Sequence, residues 1–283
     1  AIEDKAKSEN ISKVLYPTDN FVEGQELRLK QQYFFVAATF HDITRRHLKH
    51  HPDFSDLPQY VAVQLNDTHP AIAIPELMRI LVDDHLMPWD EAWKVCVGTF
   101  AYTNHTVMPE ALETWPVDLM TRVLPRHMQI IYEINRRFLD EVRKTHPGDD
   151  GLLSRVSLIS EDFGKRVRMA NLAVLGSHSV NGVSALHSDI LKASTFRDFH
   201  ELFPKRFNNK TNGITPRRWL RQCNPGLFDL IGEAIGEGWL TNLERLEELR
   251  PFAEDSEFRA RWAKVKLKNK QRLAEYARYK ISR

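Results

Sequence analysis

Two short polar runs hold the residues best suited to chemistry. Asp67 and His69 sit in Gln64-Leu65-Asn66-Asp67-Thr68-His69-Pro70, and His105 lies in Tyr102-Thr103-Asn104-His105-Thr106. At a strand end, alternate residues face the same way, so Asp67 and His69 would present a carboxylate and an imidazole together. Such groups, with neighbouring amides, hydrogen-bond the hydroxyls of a neutral ligand. The same residues also suit a tight turn in which Asp67 caps backbone amides and His69 packs under Pro70. Downstream, Glu110 and Glu113 would share one face of a helix starting near Pro109. That pair reads either as the acid and base of a glycoside-cleaving site or as first-turn carboxylates that offset a helix dipole.

A metal centre on Asp67, His69 and His105 has suitable ligand types, but neither HExxH nor CxxC spacing occurs, and no metal is expected. His47, His50 and His51 lie in Arg45-Arg46-His47-Leu48-Lys49-His50-His51. Flanked by cations at a helix C-terminus, they read as dipole-compensating residues rather than ligands. Two loop-like runs, Pro17-Thr18-Asp19-Asn20-Phe21 and Asn208-Asn209-Lys210-Thr211-Asn212-Gly213, add asparagines that are ordinarily turn formers. Combined with the His-bearing runs, they make a site of amides and imidazoles with few charges. That composition suits a sugar better than a nucleotide phosphate, and no GxGxxG or P-loop is present.

The elements that position these residues follow from periodicity. Each His-bearing run ends an apolar stretch that reads as a buried strand, residues 60–65 and 97–102. Further strands are expected over 155–160 and 177–183, all in one mainly parallel sheet because helical patterns alternate with them. Helices are expected over 24–49, through Leu77 to Val82, from Trp89 to Val95, and over 124–145, 168–175 and 185–192. Residues 207–212 read as a loop, Thr215 and Pro216 as a helix start, and the remainder as wholly helical. In an open parallel sheet ligands bind beyond the carboxyl ends of the strands, so the two clusters point to one crevice.

Composition narrows the class. The chain has 283 residues, 42% of them hydrophobic, and a formal net charge of +2 with both signs interspersed. A large core is possible, while a nucleic-acid footprint would need a one-sided basic excess. Its two cysteines, Cys96 and Cys223, read as reduced, buried thiols of a cytoplasmic protein. No run of about 18 apolar residues or signal peptide is seen, so no membrane association is expected. Ala1 and Arg283 both fall inside charged helical patterns, which reads as an internal segment of a longer protein.

The chain resembles the glycogen and maltodextrin phosphorylases, the alpha-glucan phosphorylases. The resemblance runs through Leu15-Tyr16-Pro17, residues 26–30, 64–70 and 102–115, Leu124-Pro125-Arg126-His127, residues 168–172, Val180-Asn181-Gly182-Val183 and residues 210–219. It implies an α/β protein of the GT-B glycosyltransferase type, in which residues 1–212 complete a sugar-side domain and 213–283 begin a cofactor domain. The implied activity is release of glucose 1-phosphate from terminal alpha-1,4-linked glucose by inorganic phosphate, with retention. The implied cofactor is pyridoxal 5'-phosphate, whose Schiff-base lysine and main determinants lie outside this segment, and the segment alone is expected to be inactive. The implied whole enzyme is a cytoplasmic, allosteric homodimer that binds neither nucleic acid nor membrane.

Residue by residue, the resemblance makes His105, Asn212, Asp67 and His69 catalytic, with His105 and Asn212 reaching one sugar hydroxyl and the His105 carbonyl facing developing positive charge. It puts Asp19, Asn20 and Phe21 on a gating loop, adds Thr106, Glu113 and Val183 as substrate contacts, and sets Trp219 beside the cofactor. Thr18 stands where many members have Asn. Two other readings of the residues are a nucleotide-sugar glycosyltransferase of the same fold and a non-catalytic carbohydrate-binding module. The latter would show a row of exposed aromatics, whereas Tyr33, Phe34, Trp93 and Phe100 fall on apolar faces.

Overall fold

Leu65, Tyr102 and Val180 have no exposed surface and stand side by side at matching positions of adjacent parallel strands. The computed structural model that shows this describes residues 2–162 and 164–281. Its strands, in chain order, are β1 Val63–Asn66, β2 Phe100–Thr103, β3 Thr114–Pro116, β4 Ile159–Ser160, β5 Arg166–Arg168, β6 Ser179–Gly182 and β7 Phe207–Asn209. The main sheet is wholly parallel in the order β1-β2-β6-β7. In β1 and β2 burial alternates, with Leu65, Phe100 and Tyr102 fully buried and Gln64, Asn66, Ala101 and Thr103 less so.

Helices supply the covering layers. In the first of two compact units, which ends at Thr211, these are α1 Ile2–Lys13, α2 Val22–His47, α3 Leu57–Tyr60, α4 Ala73–Arg79, α5 Trp89–Thr99, α6 Val117–Val123, α7 Pro125–Thr145, α8 Asp150–Val156, α9 Met169–Leu175, α10 Ala185–Ile190 and α11 Arg197–Leu202. Pro125 starts α7 where its missing N–H costs nothing, and Met128, Ile131, Ile134, Phe138 and Val142 recur on the buried face. Ser184 caps α10 by accepting from His187 N at 3.1 Å, and Asp149 caps α8 by accepting from Leu152 N at 2.8 Å.

Four expectations need correction. Residues 155–160 do not join the main sheet: Arg155 and Val156 end α8, and the two-residue β4 pairs antiparallel with β5 in a second sheet ordered β3-β5-β4. The strand expected there is filled instead by β7, read from sequence as a loop, with Asn181 opposite Asn208 and Gly182 opposite Asn209. No helix follows Pro109 beyond the 3-10 turn Pro109–Ala111, and Glu113 lies in the extended chain entering β3, so Glu110 and Glu113 share no helix face. The cysteines also differ from expectation: both are free, but only Cys96 is buried.

The second unit begins at Asn212 and contains a π-helical segment Arg217–Gln222, α12 Pro225–Ile235, 3-10 segments and α13 Ser256–Ile281. Its core forms where Trp239, wholly buried, meets the Phe228 ring at 5.8 Å, with Leu230 and Ile231 buried alongside. Asn224 caps α12 by accepting from Leu227 N.

Candidate active site

The carboxyl ends of β1 and β2 hold the candidate residues in register. Asp67 extends the ladder by one rung, its N–H donating to Thr103 O at 2.9 Å. It then turns the chain with φ of 64°, a left-handed conformation that Asp tolerates better than most side chains. Its carboxylate accepts from Thr68 N at 2.7 Å. The turn sends His69 outward, with 61% of its side chain exposed.

Opposite His69 stands Glu113, whose Oε1 lies 3.7 Å from His69 Nδ1, 2.9 Å from Gln32 Nε2 and 3.6 Å from Arg28. Its other oxygen, Oε2, is buried without a protein partner. The facing Glu113 carboxylate raises the His69 pKa against partial burial, which lowers it; the charge of Asp67 assists and that of Arg28 opposes. Asp19 completes this corner by accepting from Arg28 at 2.9 Å. Asp19, Arg28, His69 and Glu113 line one cleft of about 350 Å³.

His105 lies beside this corner, not in the cleft lining. Through Nε2 it donates to Asn66 Oδ1 at 2.5 Å, the tautomer following from the acceptor. Below it, amides and hydroxyls brace the strand ends: Gln64 donates to Thr103 Oγ1 and Thr103 donates to Asn181 Oδ1, each at 2.8 Å. Asn104, fully buried, donates to Tyr102 Oη at 3.0 Å and accepts from Thr106 N at 3.0 Å. These bonds tie β1, β2 and β6 together where the backbone ladder stops.

Against that geometry stands a direct comparison. The sequence profile of the family described as "Carbohydrate phosphorylase" matches residues 1–282. The chain belongs to the carbohydrate phosphorylase family. It is 53% identical over 98% of its length to the glycogen phosphorylase of Synechocystis sp., covering 32% of that protein. It is 56% identical over 98% of its length to the human muscle form of glycogen phosphorylase, covering 34% of that protein, and 54% identical to the bovine liver form, covering 33%. The chain thus spans about a third of the length of the relatives it matches.

For a carbohydrate phosphorylase, the first unit brings together Asp67, His69, Glu113 and Asp19 at one corner and His105 at the adjacent strand end. Asn20 and Phe21 are exposed on the loop before α2. That loop is held by Gln25, which donates to Asp19 O at 2.9 Å. It is also held by Gly24, where a Cβ would come within 1.7 Å of Thr18 O. Val183, half-buried, donates its N–H to His187 Nδ1 at 3.1 Å. Asn212 and Trp219 belong to the second unit, where both are exposed.

Sequence reasoning missed Arg28, Gln32 and Asn66 as members of the site. Arg28 carried a signal, since it falls in the matching block 26–30 and α2 begins directly after the Asp19 loop. Gln32 carried none, because its partner Glu113 lies 81 residues away. The His47, His50 and His51 run does close α2, with His47 in its last turn, and His47 and His51 additionally converge with Asp56, an acid outside that run.

Proposed function

We propose that this chain is the sugar-side segment of an alpha-1,4-glucan phosphorylase. The whole enzyme would use inorganic phosphate to release glucose 1-phosphate, with retention, from the end of glycogen or maltodextrin. The observation that carries this reading is the 53–56% identity to glycogen phosphorylases over 98% of the chain. The strand-end site supports it: its donors and acceptors are imidazoles, amides and carboxylates suited to hydroxyl groups.

In this reading the glucosyl unit sits beyond β1 and β2. Glu113 Oε2, buried and without a protein partner, accepts a sugar hydroxyl, since an unmatched buried carboxylate oxygen is costly. His69 and Asp67 flank the anomeric side. His105 donates to a hydroxyl after exchanging Asn66 for it, and its carbonyl faces the positive charge that develops at the anomeric carbon. Asn212 supplies a further hydrogen bond, and Thr106 and Val183 border the sugar. Asp19, Asn20 and Phe21 form the gate, held in its present position through Arg28.

Pyridoxal 5'-phosphate would supply a phosphate group that exchanges a proton with the substrate phosphate. The residues present do not build its site. Trp219 offers an exposed indole, but Lys210 is engaged by Asn208 Oδ1 at 2.6 Å, and no lysine stands in a glycine-rich phosphate cradle. Its Schiff-base lysine is proposed to lie outside residues 1–283. A cytoplasmic homodimer is the proposed state of the whole enzyme. Among the described residues, no helix is long and apolar enough to cross a membrane.

The test is glucose 1-phosphate formation from a linear glucan and phosphate. The full-length enzyme should form it, and residues 1–283 alone should not. Turnover by the segment without cofactor, or none by the full-length enzyme, overturns the reading.

A further inference from the structure

The last turn of α2 and the segment after it carry a second cluster, remote in sequence from the strand-end residues. His47 and His51 are four residues apart, and the helical spacing persists between them because His51 N donates to His47 O at 3.1 Å. Their rings stack at 4.2 Å and 6°. Asp56 sits at the N-cap of α3, yet its side chain makes no capping hydrogen bond. Instead its carboxylate spans the two imidazoles, with Oδ1 3.1 Å from His47 Nε2 and Oδ2 2.8 Å from His51 Nδ1.

Proton counting shows that this cluster is under-supplied with donors. His47 Nε2 also faces Asp53 O at 3.0 Å, and one N–H cannot serve both oxygens. Asp56 Oδ1 is accordingly buried without a hydrogen-bond partner. The His47 side chain is only 2% exposed, so water has little access from that side. Oδ1 faces His47 and Oδ2 faces His51, so a single cation among the three groups would give the orphaned oxygen and both imidazoles a shared partner.

We propose that His47, His51 and Asp56 bind a divalent transition-metal ion, zinc by the chemistry of the donors. Two imidazoles and one carboxylate, with water as a fourth ligand, make a recognised zinc set. Their ligand atoms lie within 4.8 Å of one another. Bonds of about 2.0–2.1 Å at tetrahedral angles need separations of roughly 3.3 Å, so the carboxylate moves away from the rings by tenths of an ångström. His51, the more exposed ring, turns about χ2 to leave the stack and aim its lone pair at the ion.

The surrounding charges oppose and assist. Arg46 and Lys49 line the same opening, but Arg46 is drawn off by Asp42 at 3.5 Å. The carbonyl end of α2 is the negative pole of its dipole and favours a cation there. Loaded, the site would staple the connection between α2 and β1, holding the strand that ends at Asn66.

The test uses residues 1–283 stripped with a chelator, then titrated with Zn²⁺ by calorimetry and with Co²⁺ by visible absorbance. One equivalent should bind saturably, with tetrahedral cobalt bands and a rise in melting temperature. His51→Gln and Asp56→Asn should each weaken binding at least about tenfold and abolish the melting shift. Circular dichroism checks that they fold, and His51→Gln, at the more exposed ligand, decides the matter should Asp56→Asn unfold. No saturable binding near one equivalent, or equal affinity in His51→Gln and the parent, overturns the site.

Discussion

Gln32 Nε2 donates to Glu113 Oε1 at 2.9 Å across 81 residues of sequence, joining α2 to the chain entering β3. The bond orients a carboxylate that also faces His69 and Arg28. Glu113 therefore couples the position of a helix to the charge of a histidine.

From that coupling comes a pH expectation. The His69 pKa is raised chiefly by the facing Glu113 carboxylate, so the stabilisation is full below the ordinary imidazole value and is lost as pH rises through the folded value. With His69 largely exposed, solvent screening keeps the effect on stability small. In Glu113→Gln the His69 pKa should fall, read by NMR titration of its ring protons. An unchanged midpoint would show that Glu113 does not set it.

A buried, hydrogen-bonded carboxylate offers a larger stability effect. Glu76 and His127, each under 5% exposed at the side chain, meet at 2.5 Å, and Arg79 clasps Glu76 at 3.1 Å through two nitrogens. Burial pushes the Glu76 carboxyl up, but hydrogen bonds and charge from His127 and Arg79 outweigh it and hold the pKa below the usual range. The stabilisation is present above the ordinary carboxylate pKa and lost as pH falls through the depressed one. His127→Ala should cost about 1–3 kcal/mol by urea denaturation at neutral pH, because it leaves a buried carboxylate oxygen short of a donor. A loss under about 1 kcal/mol would mean that the pair contributes little.

The loop proposed as the gate depends on one missing methyl group. Gly24→Ala would place a Cβ against the Thr18 carbonyl, with backbone on both sides of the clash. The expected cost is about 1–3 kcal/mol in stability, with a higher KM for glucan in the full-length enzyme. Wild-type stability and KM together would show that the loop relaxes freely.

In the second unit, Asn212→Ala tests the proposed sugar contact. Loss of one hydrogen bond and an unpaired partner should raise the barrier of the full-length enzyme by about 1–3 kcal/mol in kcat/KM. A variant as fast as its parent removes Asn212 from the site.

How much could be read in advance depended on the range of the interaction. β1, β2 and β6 were legible because Leu65, Tyr102 and Val180 are apolar positions buried on the same face of short strands bounded by polar turn residues. β7 was not, since Asn208 and Asn209 have loop composition, and only pairing with Asn181 and Gly182 makes them a strand. β4 failed for the complementary reason: Ile159 looks like a strand residue anywhere, and its partner Val167 decides the sheet. In the site, Asp67, His69 and His105 announced themselves by residue type at strand ends. Gln32 and Asp56 did not, because a lone polar residue acquires its meaning from a partner brought by the fold.

The strand order β1-β2-β6-β7 also has a consequence for synthesis on the ribosome. β1 and β2 can pair as soon as residue 103 has emerged, but the next strand, β6, begins only at Ser179. Throughout that interval the edge of β2 that later pairs with β6 keeps its backbone N–H and C=O groups unpaired, an open template with no neighbour of its own. Emerging chains that share this edge would pair with one another, so slow translation between residues 103 and 179 should favour aggregation, and a chaperone that masks β2 should relieve it.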